Sequence, residues 1–508
     1  MPRGGSVPEL FKFQRVAIQQ FLKHQYVHLH ERGYSDTSAL IGDDMGLGKT
    51  IEAITLDLNY RRRDSMDYKA QTLVVTMTSV MGAWEKHYEE WAPWLKVKVI
   101  DRKNRDEFIE AIRARVRDRS GTLYPAYHVF VCHWQVLRYI ADELKEVPWF
   151  HIIGDEIQNI KNRKAQQTQV FKKLRTTYKT GLSGTWADNR PDDAWSVLNW
   201  LWPKKFTSYW SFFNYHVLQK KHNEGTCMAE GCDTYHRRGF TEISGVHDME
   251  LIHRMMGGAY IRRTKEQVWE DMPEKTGEDR YVELDPKQRR TYDMMANDML
   301  AWVGEHEDQP LPASNVISQL VRLQQFAVAY GKLEVKYKDG QPYRYLVLDE
   351  PSSKLDAAID IIGATNAQIV IFGQSKQALY LLEARLNKAK VSNRLLTGDV
   401  PQAHRDQFIA EFQSGSVRVF LSTIKAGGVG ITLTAASICI FLDRDWSPTK
   451  NRQAEDRLHR LGQKNAVLII VLVARNTIDP TRNAKIEMKW TWLRQVLEGK
   501  THEEVARR

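Results

Sequence analysis

Twice along this chain, short apolar runs of strand length alternate with stretches patterned for helix. That alternation leaves little room for anything but parallel β-sheets wound through helical crossovers. In the first half the runs are Ala39–Ile41, Thr72–Thr76, His128–Cys132, Phe150–Ile153 and Tyr178–Leu182, with helical patterns such as Thr50–Tyr60 and Asp106–Arg117 between them. In the second half Ile369–Phe372, Arg394–Leu396, Val417–Leu421, Ile438–Leu442 and Val467–Val473 repeat the arrangement. Two α/β lobes of similar architecture are predicted. Between them, from about Pro191 to Pro351, the alternation stops, and Leu251–Trp269 and Gln288–Trp302 read as helices. This mostly helical middle ends in a predicted β-hairpin, where Leu333, Val335 and Tyr337 and then Tyr343, Tyr345 and Val347 alternate about Asp339-Gly340. The expected division is 1–190, 191–350 and 351–508.

At 508 residues, with 42% hydrophobic and 27% charged side chains, the chain has the makings of sizeable cores, and collagenous or wholly disordered readings fail. Its longest apolar run, Ala466–Ala474, is far short of the roughly 20 residues a membrane-crossing helix needs, so no membrane partner is expected. No apolar segment follows the first residues, and four cysteines cannot make a disulfide framework, which points to a reducing cytoplasm. Lys and Arg outnumber Asp and Glu by 73 to 63, so the average surface attracts polyanions, nucleic acid first among them.

Gly42 to Thr50, reading GDDMGLGKT, follows a predicted strand and opens a predicted helix, as a phosphate-cradling loop must. Amides freed by Gly46 and Gly48 can point at phosphate oxygens, and the helix N-terminus adds its dipole. Lys49 is placed to reach the outer phosphates and Thr50 to ligate magnesium. Asp43 stands where the strict pattern has glycine. Such a site also needs a carboxylate at a neighbouring strand end for the metal and a second for the attacking water. Asp155 and Glu156, after the apolar run Trp149–Ile153, supply both, with Asp155 on the metal side and Glu156 as base.

From Asp155-Glu156-Ile157-Gln158 onward the sequence resembles the Swi/Snf-type branch of superfamily 2 helicases, whose phosphate loop shares the Asp43 departure. Phe13-Gln14 resembles the family's Q motif, Thr72–Trp91 its motif Ia, and Leu182-Ser183-Gly184-Thr185 its motif III, with Trp186 in place of the usual proline. Ile261–Lys265 and Met272–Lys275 resemble its RRTK and LPxK landmarks. Ser422–Gly430 resembles motif V and Gln453–Gln463 motif VI. The resemblance implies two RecA-like lobes carrying helical insertions, with ATP and magnesium as cofactors. It implies that Gln14 reads adenine, and that Asp43, Met45, Gly46, Leu47, Gly48, Lys49, Thr50 and Gln453 line the nucleotide. It further implies coupling through Gln158, Ser183 and Thr185. Arg457 and Arg460 lie three apart, so on a helix they share a face and can project together toward a transferring phosphoryl group.

A motor that moves over any sequence must hold the backbone of double-stranded DNA and ignore base edges. Thr78, Ser79, Lys425, Gly427, Gly428 and Trp446 fall where the family touches its tracked strand. Arg61–Arg63, Arg113–Arg119 and Lys220-Lys221 read as solvated surface, with duplex contact as the alternative, and most of the 15 Trp read as core. Cys227 and Cys232 with His222 and His236 could ligate zinc, although their spacing departs from the tight knuckle. The expected activity is DNA-dependent ATP hydrolysis driving translocation on duplex DNA. A strand-separating DNA or RNA helicase and a silent nucleic-acid-binding scaffold are the alternatives. Little lies outside this engine, which fits a minimal motor of bacterial or viral origin resembling the family's annealing members. It would be cytoplasmic there, and nuclear in a eukaryote.

Overall fold

The apolar runs become two all-parallel sheets in the computed structural model, which describes residues 9–32, 37–66, 68–100, 105–117, 121–222, 225–226, 235–236, 239–269, 272–305, 313–338, 341–427, 431–460 and 462–500. Two units emerge, Met1–Glu270 with Lys489–Arg508, and Asp271–Met488. In the first, the strands run in the order Tyr260–Ile261, Ser38–Ile41, Thr176–Leu182, Trp149–Asp155, Thr72–Thr76, Val129–His133, Val97–Ile100, every pair parallel. The second has Lys275–Val282, Val467–Ala474, Ile438–Phe441, Ile369–Gly373, Val419–Thr423 and Asn393–Leu396, again parallel throughout.

Helices cover both faces, so strands such as Thr72–Thr76 are buried along their whole length and need apolar residues on both sides. The twofold alternation of the strands sorts these residues. Leu40, Leu73, Val75, Phe130 and Ile152 enter one core of the first unit, while Ala39, Ile41, Val74, Val131 and Ile153 enter the other. Ile369, Ile371 and Leu421 oppose Val370, Phe372 and Phe420 in the same way in the second unit. Trp84, Trp149 and Trp186 are fully buried, as expected of core, whereas Trp94 and Trp210 are exposed.

The middle of the chain forms no unit of its own. Tyr260–Ile261 joins the first sheet and Lys275–Val282 the second, so the division falls near residue 270. Nor is the described part of the middle helical throughout. Val217–His222 pairs antiparallel with Phe240–Val246, and the expected helix Leu251–Trp269 is Met249–Met256, stopped where Gly257 takes φ 54°, then the short strand and a turn of helix at Lys265–Val268. Helices Pro286–Glu305 and Ala313–Val328 and the hairpin of Tyr330–Lys338 with Gln341–Asp349 follow. The helix expected to Arg117 ends at Arg113, because Arg115–Arg117 pairs with Leu123–Pro125. The C-terminal helix Ile478–Glu498 places Leu493, Val496 and Leu497 in the first unit's core. At the edge of the second sheet, Lys275–Val282 is exposed over its six central residues. Among the described residues no helix is long and apolar enough to cross a membrane.

Arg61, expected on a solvated face, is fully buried. Its Nε donates to Asp57 Oδ2 at 2.9 Å, and Nη2 donates to Thr72 Oγ1 at 2.7 Å and to the His128 carbonyl at 3.1 Å. Asp57 Oδ1 accepts from the Thr72 hydroxyl at 2.7 Å and faces His151 Nδ1 at 3.0 Å. Burial pushes the Asp57 carboxyl up, but Arg61, His151 and Thr72 outweigh it and hold it well below the usual range. A depressed acid stabilises the fold above its unfolded pKa, and that contribution is lost as pH falls toward the folded one. Arg61→Ala leaves Asp57 buried without its partner and is expected to cost about 3–5 kcal/mol in urea unfolding at neutral pH. A cost below about 1 kcal/mol, the scale of an exposed pair, would show the network to be dispensable.

Candidate functional site

Parallel pairing brings the C-terminal ends of Ser38–Ile41, Thr176–Leu182 and Trp149–Asp155 to one edge, where open α/β sheets bind ligands. The loop after the first strand runs into helix Lys49–Arg63, whose N-terminus no side chain caps. Gly46 and Gly48 adopt φ 88° and 81°, and a Cβ on Gly48 would lie 2.5 Å from Gln14 Nε2. The left-handed backbone is what calls for glycine at both positions, and a side chain at 48 would also push Gln14 aside.

Gln14 is buried, and its amide is used locally: Nε2 donates to the Leu47 carbonyl and Oε1 accepts from the Phe11 N–H, both at 3.0 Å. Lys49 Nζ donates to the carbonyls of Asp43 at 2.7 Å and Asp44 at 3.1 Å. Asp43, expected to line the nucleotide, instead has its fully buried carboxylate bound to Arg263, with only its carbonyl reaching Lys49. Arg263 Nη2 also reaches Glu52 Oε1 at 2.5 Å. One guanidinium between two buried acids leaves excess negative charge, and burial first, then the Asp43 carboxylate, hold Glu52 above the usual range against the pull of Arg263.

Asp155 ends its strand with its carboxylate oriented by three donors. Oδ2 accepts from Thr76 Oγ1 at 2.7 Å and Trp84 Nε1 at 3.0 Å, and Oδ1 from the Glu156 N–H at 3.0 Å. Glu156 sits at φ 49°, ψ 56°, a left-handed conformation that costs a non-glycine residue energy and clusters at functional sites. Gln158 Nε2 donates to Glu156 Oε2 at 2.6 Å. Ser183 Oγ accepts from the Thr185 N–H at 3.0 Å, and the Thr185 hydroxyl is buried without a hydrogen-bond partner among the described residues. An uncapped helix start, an ammonium, hydroxyls and oriented carboxylates form a donor set suited to a polyphosphate with a divalent cation. Lys49, Thr50 and the loop amides would hold the phosphates, and Thr50 with Asp155 the magnesium.

Thr78 and Ser79 are exposed on a short helical turn just beyond Thr72–Thr76. In the second unit Lys425 is exposed and Gly427 buried on the turn Ile424–Gly427, Trp446 is half-buried, and Gly428 lies outside the described residues. Helix Pro448–Glu455 carries Gln453 but stops before both arginines. Arg457 and Arg460 therefore lie on the following turns rather than sharing a helix face, and Arg460 Nη1 meets the Ile431 carbonyl at 3.4 Å. His222 Nε2 faces Glu242 Oε2 at 3.1 Å, while Cys227, Cys232 and the His236 side chain lie outside the described residues. The residues that sequence reasoning missed are those that hold the others. Thr76 and Trp84 fix Asp155, and Arg262 and Arg263, seen only as a landmark, grip a loop some 220 positions earlier.

Family models for the SNF2-related domain and the helicase conserved C-terminal domain match residues 19–329 and 353–462. YwqA of Bacillus subtilis, named as a candidate ATP-dependent helicase/translocase, is 27% identical over 502 residues, covering 96% of this chain and 49% of its own. A mouse SWI/SNF-related regulator of chromatin, subfamily A member 1, is 26% identical over 91% of this chain and 41% of its own, and the yeast transcription regulatory protein SNF2 24% over 87% and 25%. The chain thus spans about half or less of the length of these relatives. Among solved structures, the Sulfolobus solfataricus SWI2/SNF2 ATPase core in complex with dsDNA is similar at 23% identity and a TM-score of 0.40, covering 98% of this chain and 96% of that one. Because the first family model alone takes in more than half of the sequence, the chain belongs to the SNF2-related domain family.

Proposed function

We propose that this chain is a DNA-dependent ATPase that couples ATP hydrolysis to translocation along double-stranded DNA. The observation that carries the reading is the pairing of an uncapped glycine-loop helix start with a strained Glu156 beside a fixed Asp155, on parallel strands of one sheet in an SNF2-related chain. The names of the relatives agree with it, and the net charge of +10 suits a polyanionic track held without regard to sequence.

In this reading Lys49 and the amides of the loop neutralise and orient the outer phosphates. Thr50 and Asp155 would hold a magnesium ion, which when bound would supply charge neutralisation at the phosphates. Glu156, with Oε2 held by Gln158, takes the proton of the attacking water. In the second unit, the family resemblance gives Arg457 and Arg460 the role of arginines for the transferring phosphoryl group and Gln453 that of a nucleotide contact. Ser183, Thr185 and Gln158 relay the state of the nucleotide, and Thr78, Ser79, Lys425, Gly427, Gly428 and Trp446 meet the DNA backbone.

Lys49→Ala and Glu156→Gln are expected to lower duplex-stimulated kcat by at least about 100-fold, the scale of losing a general base or a phosphate-orienting charge, while DNA affinity changes little. Undiminished hydrolysis in Glu156→Gln removes it as the base. On a duplex carrying a third strand, the wild-type chain is expected to strip that strand only with ATP. Release without ATP, or stimulation by single strands or RNA but not by duplex, rejects duplex translocation.

A further inference from the structure

Arg262 follows the short edge strand Tyr260–Ile261, and the pairing of that strand with Leu40 and Ile41 continues into the phosphate loop. The Gly42 N–H donates to the Ile261 carbonyl at 2.7 Å, and the Asp44 N–H to the Arg263 carbonyl at 3.0 Å. This places the largely buried Arg262 guanidinium between two pieces of the candidate site. Its Nη1 donates to the Gly42 carbonyl at 2.7 Å and to the Gly184 carbonyl at 2.9 Å, and Nη2 pairs with Asp44 Oδ1 at 3.1 Å. Gly42 and Asp44 belong to the loop, and Gly184 to the Ser183–Thr185 turn. The two are packed so closely that a Cβ on Gly184 would stand 3.1 Å from the Asp43 carbonyl oxygen and 3.6 Å from the Met45 nitrogen.

We propose that Arg262 is a positioning residue for phosphoryl transfer, its guanidinium locking the phosphate loop and the Ser183–Thr185 turn into the one register in which both act on the same nucleotide. The planar fork matters because two carbonyls from separate segments and one carboxylate are held at once from two nitrogens of fixed geometry, whereas a lysine ammonium offers its three donors from a single atom. The inference rests on the ATPase reading. Within the loop Arg262 bonds the Gly42 carbonyl and the Asp44 carboxylate rather than Lys49 or the loop N–H groups, so its loss is expected to fall mainly on the step that needs loop and turn together.

The test compares wild type, Arg262→Lys and Gly184→Ala in duplex-stimulated ATP hydrolysis, below each variant's melting temperature. Arg262→Lys keeps the charge and the aliphatic stem, and is expected to lower kcat at least about tenfold while KM stays within about threefold. Gly184→Ala leaves Arg262 intact but wedges the turn from the loop, and is expected to lower kcat in the same direction with KM again little changed. A lysine variant with undiminished kcat, or with a raised KM and normal kcat, overturns the proposal. If the lysine variant does not fold, the alanine variant decides by the same split. A wild-type chain without duplex-stimulated hydrolysis overturns the functional reading, and this proposal with it.

Discussion

The candidate site of the first unit depends on three neighbouring strands that point the same way. Because Thr176–Leu182 lies between Ser38–Ile41 and Trp149–Asp155 in parallel register, the loop at Gly42, the turn at Ser183 and the acids at 155 and 156 emerge along one edge. An antiparallel central strand would send the turn to the opposite edge, and no adjustment of side chains could recover it. The apolar faces that hold this register, with Leu40 and Ile152 on one side and Ile41 and Ile153 on the other, are thus as much a part of the site as Lys49.

On this frame, buried ionisable side chains are arranged in groups. Asp57, Arg61 and His151 satisfy one another beneath the sheet, and in the second unit Lys354 pairs with Asp479 at 2.6 Å while donating to the Leu442 carbonyl at 2.7 Å. The group around Arg263 differs in sitting against the phosphate loop, with two acids for one guanidinium. A buried carboxylate is costly unless hydrogen bonds satisfy it, and those from Arg263 hold Asp43 in place.

Most strands of the two sheets and the glycine loop were legible because their signals are local: apolar runs of three to seven residues, and glycines before a lysine, whereas Val97–Ile100 and Lys275–Val282 carry no such run. The family resemblance read from the motifs is borne out by the family match. Arg61 was misread because its helical position gives no hint that Asp57, one turn earlier, already occupies a buried site shared with His151. The helix through Leu251–Trp269 was misread because a strand of two residues, Tyr260–Ile261, leaves almost no periodic trace, although Gly257-Gly258 marks the break. The holders of the candidate site were invisible for a related reason: contacts such as Arg262 with Gly42 join residues whose separation along the chain follows no repeat.

The border strand Lys275–Val282 carries a consequence for solubility. Among the described residues it is bonded on one side only, to Val467–Ala474, and so offers a rim of amides and carbonyls that another chain could zip onto. Glu278, Asp279 and Arg280 stud that rim. A like strand settling alongside would have to strip water from both sets of charges, so the second unit carries its own guard against fibrous self-association.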